Sequence, residues 1–418
     1  MSLHAMAESF FVPVTPQIQV TLNCNYRCTY CFQNHCASDI MDLATAEAIL
    51  IKCAEHNRSW VRGCAQGQVE IFWHGGEPLL AGIHFYREIL RIQAKIPDIT
   101  FKNHLQTNGA LLTDAYAQFC REHDFQLGFS LDGPPEMNDL HRRTAVGGNS
   151  AFEATLRGID NYRRHMPPGA RVPVIAVVTR DTIDRAADFY LFFKELGAEV
   201  QLDFYDLRSD DLAPNAMDAL FTQAPGEDQL QRFLIELFDL WFHDPDRRVD
   251  FKELREDLDM VLRQETFFRN PMHKKRCSPG RTIFNPQGLV FACDQYVCDP
   301  ATAIGDIHHN SVATLMRRKA ALWDSIKTVI RKAPEAMACS RCDWGRLCMG
   351  GCLTCMKYNA MLLAARAEGL PDERWRDMPV PPSLAALSGE TYYCEALRGL
   401  RRHIGDTVDR ELNKAHGS

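Results

Sequence analysis

Within its first 200 residues the chain alternates six short runs rich in β-branched and aromatic residues with stretches of helical periodicity. This alternation limits the possible folds more than any other feature. The runs cover 17–22, 69–73, 100–106, 126–130, 172–178 and 200–204, and helical patterns lie near 43–57, 80–95, 113–123, 151–165 and 182–196. A strand that reaches its neighbour through a helix lies parallel to it, so repeated units build a parallel sheet covered by helices. Thr113 and Asp181 stand where helix N-caps belong, and Gly197 stands where a helix should end. The expected class is therefore α/β. Six units instead of eight predict a partial (β/α)6 TIM-like barrel, with its chemistry at the C-terminal ends of the strands.

Four unusual loops fall on that rim. Cys24 follows the first strand, His74-Gly75-Gly76-Glu77-Pro78 the second, Thr107-Asn108-Gly109 the third and Ser130-Leu131-Asp132-Gly133 the fourth. Cys24, Cys28 and Cys31 form a C-x3-C-x2-C pattern within eight residues. Three thiolates are an incomplete set for structural zinc, which is closed and four-coordinate. They suit a 4Fe–4S cluster in which one iron has no protein ligand and a small molecule takes its place. Cys36 lies five residues further on, outside the tight spacing. Three core cysteines are the plainer alternative, but a loop after a strand is a poor place for them.

With Tyr30 before its last cysteine, this pattern resembles the signature of radical S-adenosylmethionine (SAM) enzymes. The resemblance implies that SAM chelates the open iron. An electron from the reduced cluster then cleaves it to methionine and a 5′-deoxyadenosyl radical, which abstracts a substrate hydrogen. It also implies roles for the other rim loops. Gly75, Gly76 and Glu77 resemble the segment that holds the methionine end of SAM, and Ser130 and Asp132 resemble positions near the ribose hydroxyls. Asn108 belongs to a Thr-Asn-Gly segment common in these families, and the backbone at Tyr30 corresponds to a position that contacts adenine. His74, Arg142 and Asp203 are further candidates to line the cavity.

The chain carries 16 cysteines, no run of about 18 apolar residues, and an N-terminus without the charged and apolar regions of a signal peptide. The expectation is a cytoplasmic protein, outside membranes, whose clustered thiols bind metal instead of forming disulfides. A net charge of −7 without a clustered basic excess gives no footprint for nucleic acid.

A second cysteine pattern occupies the C-terminal part. Cys277 is followed by ten residues, Gly288, four residues and Cys293. Cys339-x2-Cys342-x5-Cys348-x3-Cys352 comes next, then a gap of 41 residues and Cys394. This resembles the SPASM extension of radical SAM enzymes, which implies two auxiliary clusters and so three 4Fe–4S clusters in all. The resemblance assigns Cys277, Cys293 and Cys352 to the nearer auxiliary cluster. Sulfatase-maturating relatives have one more cysteine between the first two, and none lies between Cys277 and Cys293 here. Cys298 or Cys355 is therefore the candidate fourth ligand, Cys298 preferred for its nearness to Cys293, and otherwise the site is open to a substrate thiolate or water. The resemblance assigns Cys339, Cys342, Cys348 and Cys394 to the farther cluster. Zinc on a C-x2-C pair is the alternative.

Cys293-Asp294-Gln295-Tyr296-Val297 resembles a stretch of the anaerobic sulfatase-maturating enzymes in which the aspartate takes the proton as the substrate radical is oxidised, so Asp294 is the candidate base. The reading placed first is a maturase that crosslinks or forms a thioether on a ribosomally made peptide. The alternative is conversion of a sulfatase Cys or Ser to formylglycine, and a reading of another class is an iron–sulfur electron carrier or scaffold. A peptide or protein substrate and a reducing donor such as flavodoxin or ferredoxin are the expected partners. The expected segments are an arm at 1–16, a partial barrel at 17–226, a helical bridge at 227–276 and the SPASM module at 277–418.

Overall fold

The computed structural model describes residues 12–31, 33, 37–59, 67–147, 150–204, 225–263, 280–321, 342–344 and 393–416. The strands are β1 (Thr15–Gln19), β2 (Gly67–His74), β3 (Ile99–Thr107), β4 (Gln126–Ser130), β5 (Val172–Val178), β6 (Ala198–Phe204), β7 (Asp250–Phe251), β8 (Arg281–Phe284), β9 (Leu289–Phe291) and β10 (Gly305–Asp306). The chain divides into two compact units, one of residues 1–131, 138–170 and 278–325, the other of residues 132–137, 171–277 and 326–418.

In the first unit the strand order is β10-β9-β8-β1-β2-β3-β4. β8, β1, β2, β3 and β4 run parallel, with Gln19 beside His74 and Gln17 beside both Phe72 and Ile283. β9 and β10 add an antiparallel edge. Helices α1 (Leu43–Arg58), α2 (Gly82–Ala94), α3 (Asp114–Glu122) and α4 (Ala151–His165) connect these strands or follow them. Side chains alternate across the sheet, as strand geometry requires. On β2, Val69, Ile71 and Trp73 are wholly buried. Trp73 packs edge-on against Tyr86 of α2 at 5.6 Å and donates its indole N–H to Asn103 at 2.9 Å. Each large apolar side chain buried this way contributes about 1.5–3 kcal/mol. Glu70, Phe72 and His74 lie on the opposite face, which carries the polar residues described below.

In the second unit β5, β6 and β7 run parallel. They carry α5 (Ala186–Leu196), α6 (Glu227–His243), α7 (Lys252–Arg263) and α8 (Cys394–His416). Arg401 of α8 meets Asp257 of α7 at 3.0 Å with both side chains almost fully buried. Phe204 meets Tyr393 edge-on at 5.9 Å.

The α/β class and parallel strands agree with the sequence, and differences appear at the edges. β1 ends at Gln19 instead of residue 22, because residues 20–23 turn their backbone to the loop after β2. Val20 N–H donates to the His74 carbonyl at 3.0 Å, Gly76 N–H to Thr21 at 2.8 Å and Glu77 N–H to Asn23 at 2.9 Å. Thr113 caps α3 as expected, and Gly197 ends α5 in the left-handed region at φ 62°. Asp181 is not an N-cap. Thr179 and Thr182 close a turn on each other, and α5 starts later, at Ala186 behind Arg185. Residues 205–224, near the end of the segment expected to form the barrel at 17–226, lie outside the described residues. No helix among the described residues is long and apolar enough to cross a membrane.

Candidate functional site

The loop after β1 carries the three cysteines and is held on several sides. Arg27 N–H donates to the Arg143 carbonyl at 2.7 Å, Thr29 N–H to His141 at 2.9 Å, and Ala145 N–H returns to Asn25 at 2.8 Å. Buried Tyr26 sends its hydroxyl to the Ala151 carbonyl at 3.0 Å, anchoring the loop on the first turn of α4. Cys24, Tyr30 and Cys31 pack around Tyr26, Cys28 and Ala151. The Tyr30 ring lies 5.5 Å from the Arg142 guanidinium and 6.0 Å from the His141 ring.

N–H groups point at the sulfurs. Cys24 Sγ accepts Tyr26 N–H at 3.3 Å, with Asn108 Nδ2 3.8 Å away. Cys31 Sγ accepts Gln33 N–H at 3.4 Å. Burial pushes the Cys24 thiol up to about 12, the Tyr26 N–H opposes this, and Glu77, Cys28 and Cys31 add to the rise. Such thiols ionise when a cation comes to them, which is what iron provides. Among the described residues no three His, Cys, Asp or Glu side chains converge on one point that would hold a single metal ion. A cluster presents a separate iron to each thiolate, so its ligands need no common point. Three soft donors on one anchored loop, backed by N–H groups, fit a 4Fe–4S cluster.

The glycines after β2 have a different immediate cause from ligand approach. A Cβ on Gly75 would lie 2.2 Å from the Thr21 carbonyl oxygen, and one on Gly76 would lie 2.2 Å from that of Asn23. Gly75 also has φ +132°. The two glycines let this loop lie against the residues that lead into Cys24. Glu77 turns its carboxylate inward and is fully buried. It accepts Leu79 N–H at 3.0 Å, the Thr107 hydroxyl at 2.8 Å and Asn108 N–H at 2.8 Å. Burial raises its pKa to about 7 against the pull of these three donors.

A row of polar side chains crosses the inner face of the first unit. Arg281 donates to Gln17 Oε1 at 2.8 Å, and Gln17 Nε2 donates to Asp294 Oδ2 at 3.2 Å. Cys293 Sγ lies 3.5 Å from Asp294 Oδ1. The Arg281 guanidinium sits over the Phe72 ring at 4.9 Å, and Phe72 stacks on His104 at 4.6 Å. Burial pushes His74 down to about 4, with Asp294 pulling up and Arg281 pushing further down, so its imidazole is neutral at pH 7. Gln106 Nε2 donates to Ser130 Oγ at 3.0 Å.

The predicted residues therefore fall into groups. Cys24, Cys28, Cys31, Tyr30, Gly75, Gly76, Glu77 and Asn108 form one connected assembly, while Ser130 and Asp294 lie on the inner polar row. Asp132 belongs to the second unit, where it accepts Val177 N–H at 2.9 Å. Cys394 opens α8. Cys298 is held in a disulfide, so it qualifies as a cluster ligand only once reduced. Cys342 is described, whereas Cys36, Cys277, Cys339, Cys348, Cys352 and Cys355 lie outside the described residues. Sequence reading missed Gln17 and Arg281, and it placed Thr107 on the rim without a role of its own. The alternation Gln17-Ile18-Gln19-Val20-Thr21 is the signal that could have found the first: amides recurring every second residue of an otherwise apolar strand mark a polar inner face.

Residues 18–192 match the family model of the radical SAM superfamily. The chain is 28% identical over 342 residues to the cysteine-type anaerobic sulfatase-maturating enzyme of Clostridium perfringens, covering 79% of this chain and 86% of that one. It is 29% identical over 337 residues to the serine-type anaerobic sulfatase-maturating enzyme of Klebsiella aerogenes, covering 79% and 76%. Among solved structures, native anSMEcpe with bound AdoMet and Cp18Cys peptide superposes with a TM-score of 0.72 at 22% identity, over 97% of this chain and 99% of that one. Streptococcus suis SuiB bound to S-adenosylmethionine superposes with a TM-score of 0.56 at 13% identity, over 84% and 75%.

Proposed function

The chain belongs to the radical SAM superfamily through residues 18–192 and is an enzyme, and from that premise we propose that it oxidises a cysteine or serine side chain of a sulfatase to formylglycine. What carries this reading is how far the similarity extends. It covers 79% of the chain in both maturating enzymes and so reaches well beyond the superfamily domain. This reverses the order expected from sequence, which put a ribosomal-peptide crosslinking maturase first. The likeness to SuiB, at 13% identity, is one of fold.

Cys24, Cys28 and Cys31 would hold the SAM-binding 4Fe–4S cluster. Gly75, Gly76, Asn108, Ser130 and the Tyr30 backbone would surround SAM, and Glu77 would act by fixing Asn108 in place. Cys277, Cys293 and Cys352, with Cys298 once reduced, would hold one auxiliary cluster; Cys339, Cys342, Cys348 and Cys394 would hold the other. When bound, SAM and the clusters supply the 5′-deoxyadenosyl radical and an acceptor for the second electron. At the substrate, Cβ loses one hydrogen atom, then one electron and the proton of the thiol or hydroxyl depart, a two-electron oxidation overall. Asp294 is the base for that proton, with Gln17 and Arg281 setting its orientation. Water then replaces the sulfur of a cysteine-derived product, and serine gives the aldehyde directly. A flavodoxin or ferredoxin would supply the reducing electron.

The test is mass spectrometry on the anaerobically reconstituted enzyme with SAM, reductant and sulfatase-type peptides containing Cys or Ser. The expected product of the Cys peptide carries oxygen where sulfur was. Unchanged sulfatase peptides, together with loss of two hydrogens and a new bond in a small peptide, would replace this reading with the crosslinking one.

A further inference from the structure

Asn108 holds its side chain in one orientation. Its Oδ1 accepts the Ala110 N–H at 3.0 Å, which closes an Asx turn and identifies the other end of the amide as the NH2 group. That Nδ2 lies 2.7 Å from Asn25 Oδ1 and 3.8 Å from Cys24 Sγ, and the same sulfur lies 3.8 Å from Asn25 Oδ1. The backbone beneath it is fixed as well. Asn108 N–H donates to Glu77 Oε2 at 2.8 Å, and its carbonyl accepts the Thr155 hydroxyl at 2.7 Å. Helix α4 presses on the next residue so closely that a Cβ on Gly158 would lie 2.1 Å from the Gly109 carbonyl oxygen. A buried amide held at this many points keeps its NH2 group beside the sulfur.

We propose that Asn108 is a positioning residue that donates a hydrogen bond to the Cys24 thiolate and thereby raises the reduction potential of the cluster on Cys24, Cys28 and Cys31. Reduction adds one electron to the cluster, and part of that charge spreads onto the thiolate sulfurs. A donor at a sulfur stabilises the reduced form more than the oxidised form, and such hydrogen bonds are among the determinants of cluster potential. Tyr26 N–H reaches the same sulfur at 3.3 Å and the Asn25 side chain meets it as an acceptor; among the described residues, Asn108 is the one that reaches it with a side-chain donor that substitution can remove. The inference rests on the three cysteines binding a cluster and is independent of the sulfatase assignment.

The experiment compares wild type with Asn108→Ser and Asn108→Leu. Serine keeps an acceptor for the Ala110 N–H but is too short to reach Cys24. Leucine keeps the volume, excludes water and removes the donor. Each protein is reconstituted anaerobically and its iron counted. The cluster whose electron paramagnetic resonance signal changes on addition of SAM is then titrated against potential. A hydrogen bond to a charged group is worth enough to shift the ratio of reduced to oxidised cluster about tenfold at a fixed potential. The expected result is a shift of that size toward the oxidised form in both variants, with wild-type iron content. An unchanged potential in either variant with full iron would overturn the inference and leave Asn108 a packing residue. Absence of a SAM-responsive signal in wild type would instead remove the cluster reading on which it rests.

Discussion

Glu77 Oε2 accepts the Asn108 backbone N–H at 2.8 Å, joining the loop after β2 to the loop after β3 beneath Cys24. The carboxylate is fully buried and its pKa is raised to about 7, chiefly by burial. In the unfolded chain it titrates near 4.5. Between these values the folded protein binds the extra proton, so the contribution of Glu77 to stability falls as pH rises from about 4.5 to about 7. Its size across that window is about 3 kcal/mol at most. Glu77→Gln cannot titrate and should lose this slope, while placing an amide NH2 against the Asn108 N–H. Thermal unfolding of both proteins from pH 5 to 8 measures the difference. Parallel curves would show that Glu77 is ionised throughout.

Gly76 is where space decides the outcome. A Cβ there would lie 2.2 Å from the Asn23 carbonyl oxygen and 2.6 Å from that of Leu22. Both atoms are backbone, so no flexible side chain can move aside. Gly76→Ala should push residues 21–23 away from the loop, breaking the hydrogen bonds from Gly76 to Thr21 and from Glu77 to Asn23. Overpacking of this kind costs about 1–3 kcal/mol. The damage falls next to Cys24, so iron content and SAM binding should drop together. Normal values for both would mean that the loop has slack that the distances do not show.

The separation of partners along the chain decided what sequence could reveal. Cys24, Cys28 and Cys31 were legible because one loop carries all three at a fixed spacing. The β2 strand was legible because β-branched and aromatic residues crowd the run at 69–73. Gln17 and Asp294 are 277 positions apart, and no local pattern says that an amide in the first strand meets that carboxylate. β7 has two residues, too few for any periodicity, and exists because β6 offers it an edge. The inward turn of Glu77 was hidden for a related reason. A carboxylate after two glycines reads as a ligand for an ammonium until Thr107 and Asn108 are seen to occupy it.

In the second unit, Arg401 and Asp257 form a salt bridge with side chains 2% and 1% exposed. Removing one partner leaves a buried, uncompensated charge, which costs about 3–5 kcal/mol, whereas replacing both by apolar residues is close to neutral. Arg401→Met should therefore destabilise strongly, and Arg401→Met with Asp257→Leu should recover most of the loss. The pair fixes α8 on α7, and Cys394 is the first residue of α8. The single variant should also lose iron if Cys394 is a ligand. Chemical denaturation and iron analysis of the same samples separate the two effects.

Asp294 receives one hydrogen bond from Gln17, whose amide is oriented by Arg281 at its other end. If Asp294 accepts the substrate proton, Asp294→Asn should keep SAM cleavage and stop the oxidation. A positioned base contributes about 10²–10⁴-fold, so aldehyde formation should fall by that factor while 5′-deoxyadenosine still appears. Gln17→Leu is the companion variant. It leaves the carboxylate in place but removes the donor that aims it, so its product yield should lie between those of wild type and Asp294→Asn. The measurement is the ratio of aldehyde to 5′-deoxyadenosine by mass spectrometry from one reaction mixture. A fall in both products together would place Asp294 in cluster binding through its neighbour Cys293. An unchanged ratio in Asp294→Asn would move the base elsewhere on the inner row, where neutral His74 is the next group able to take a proton.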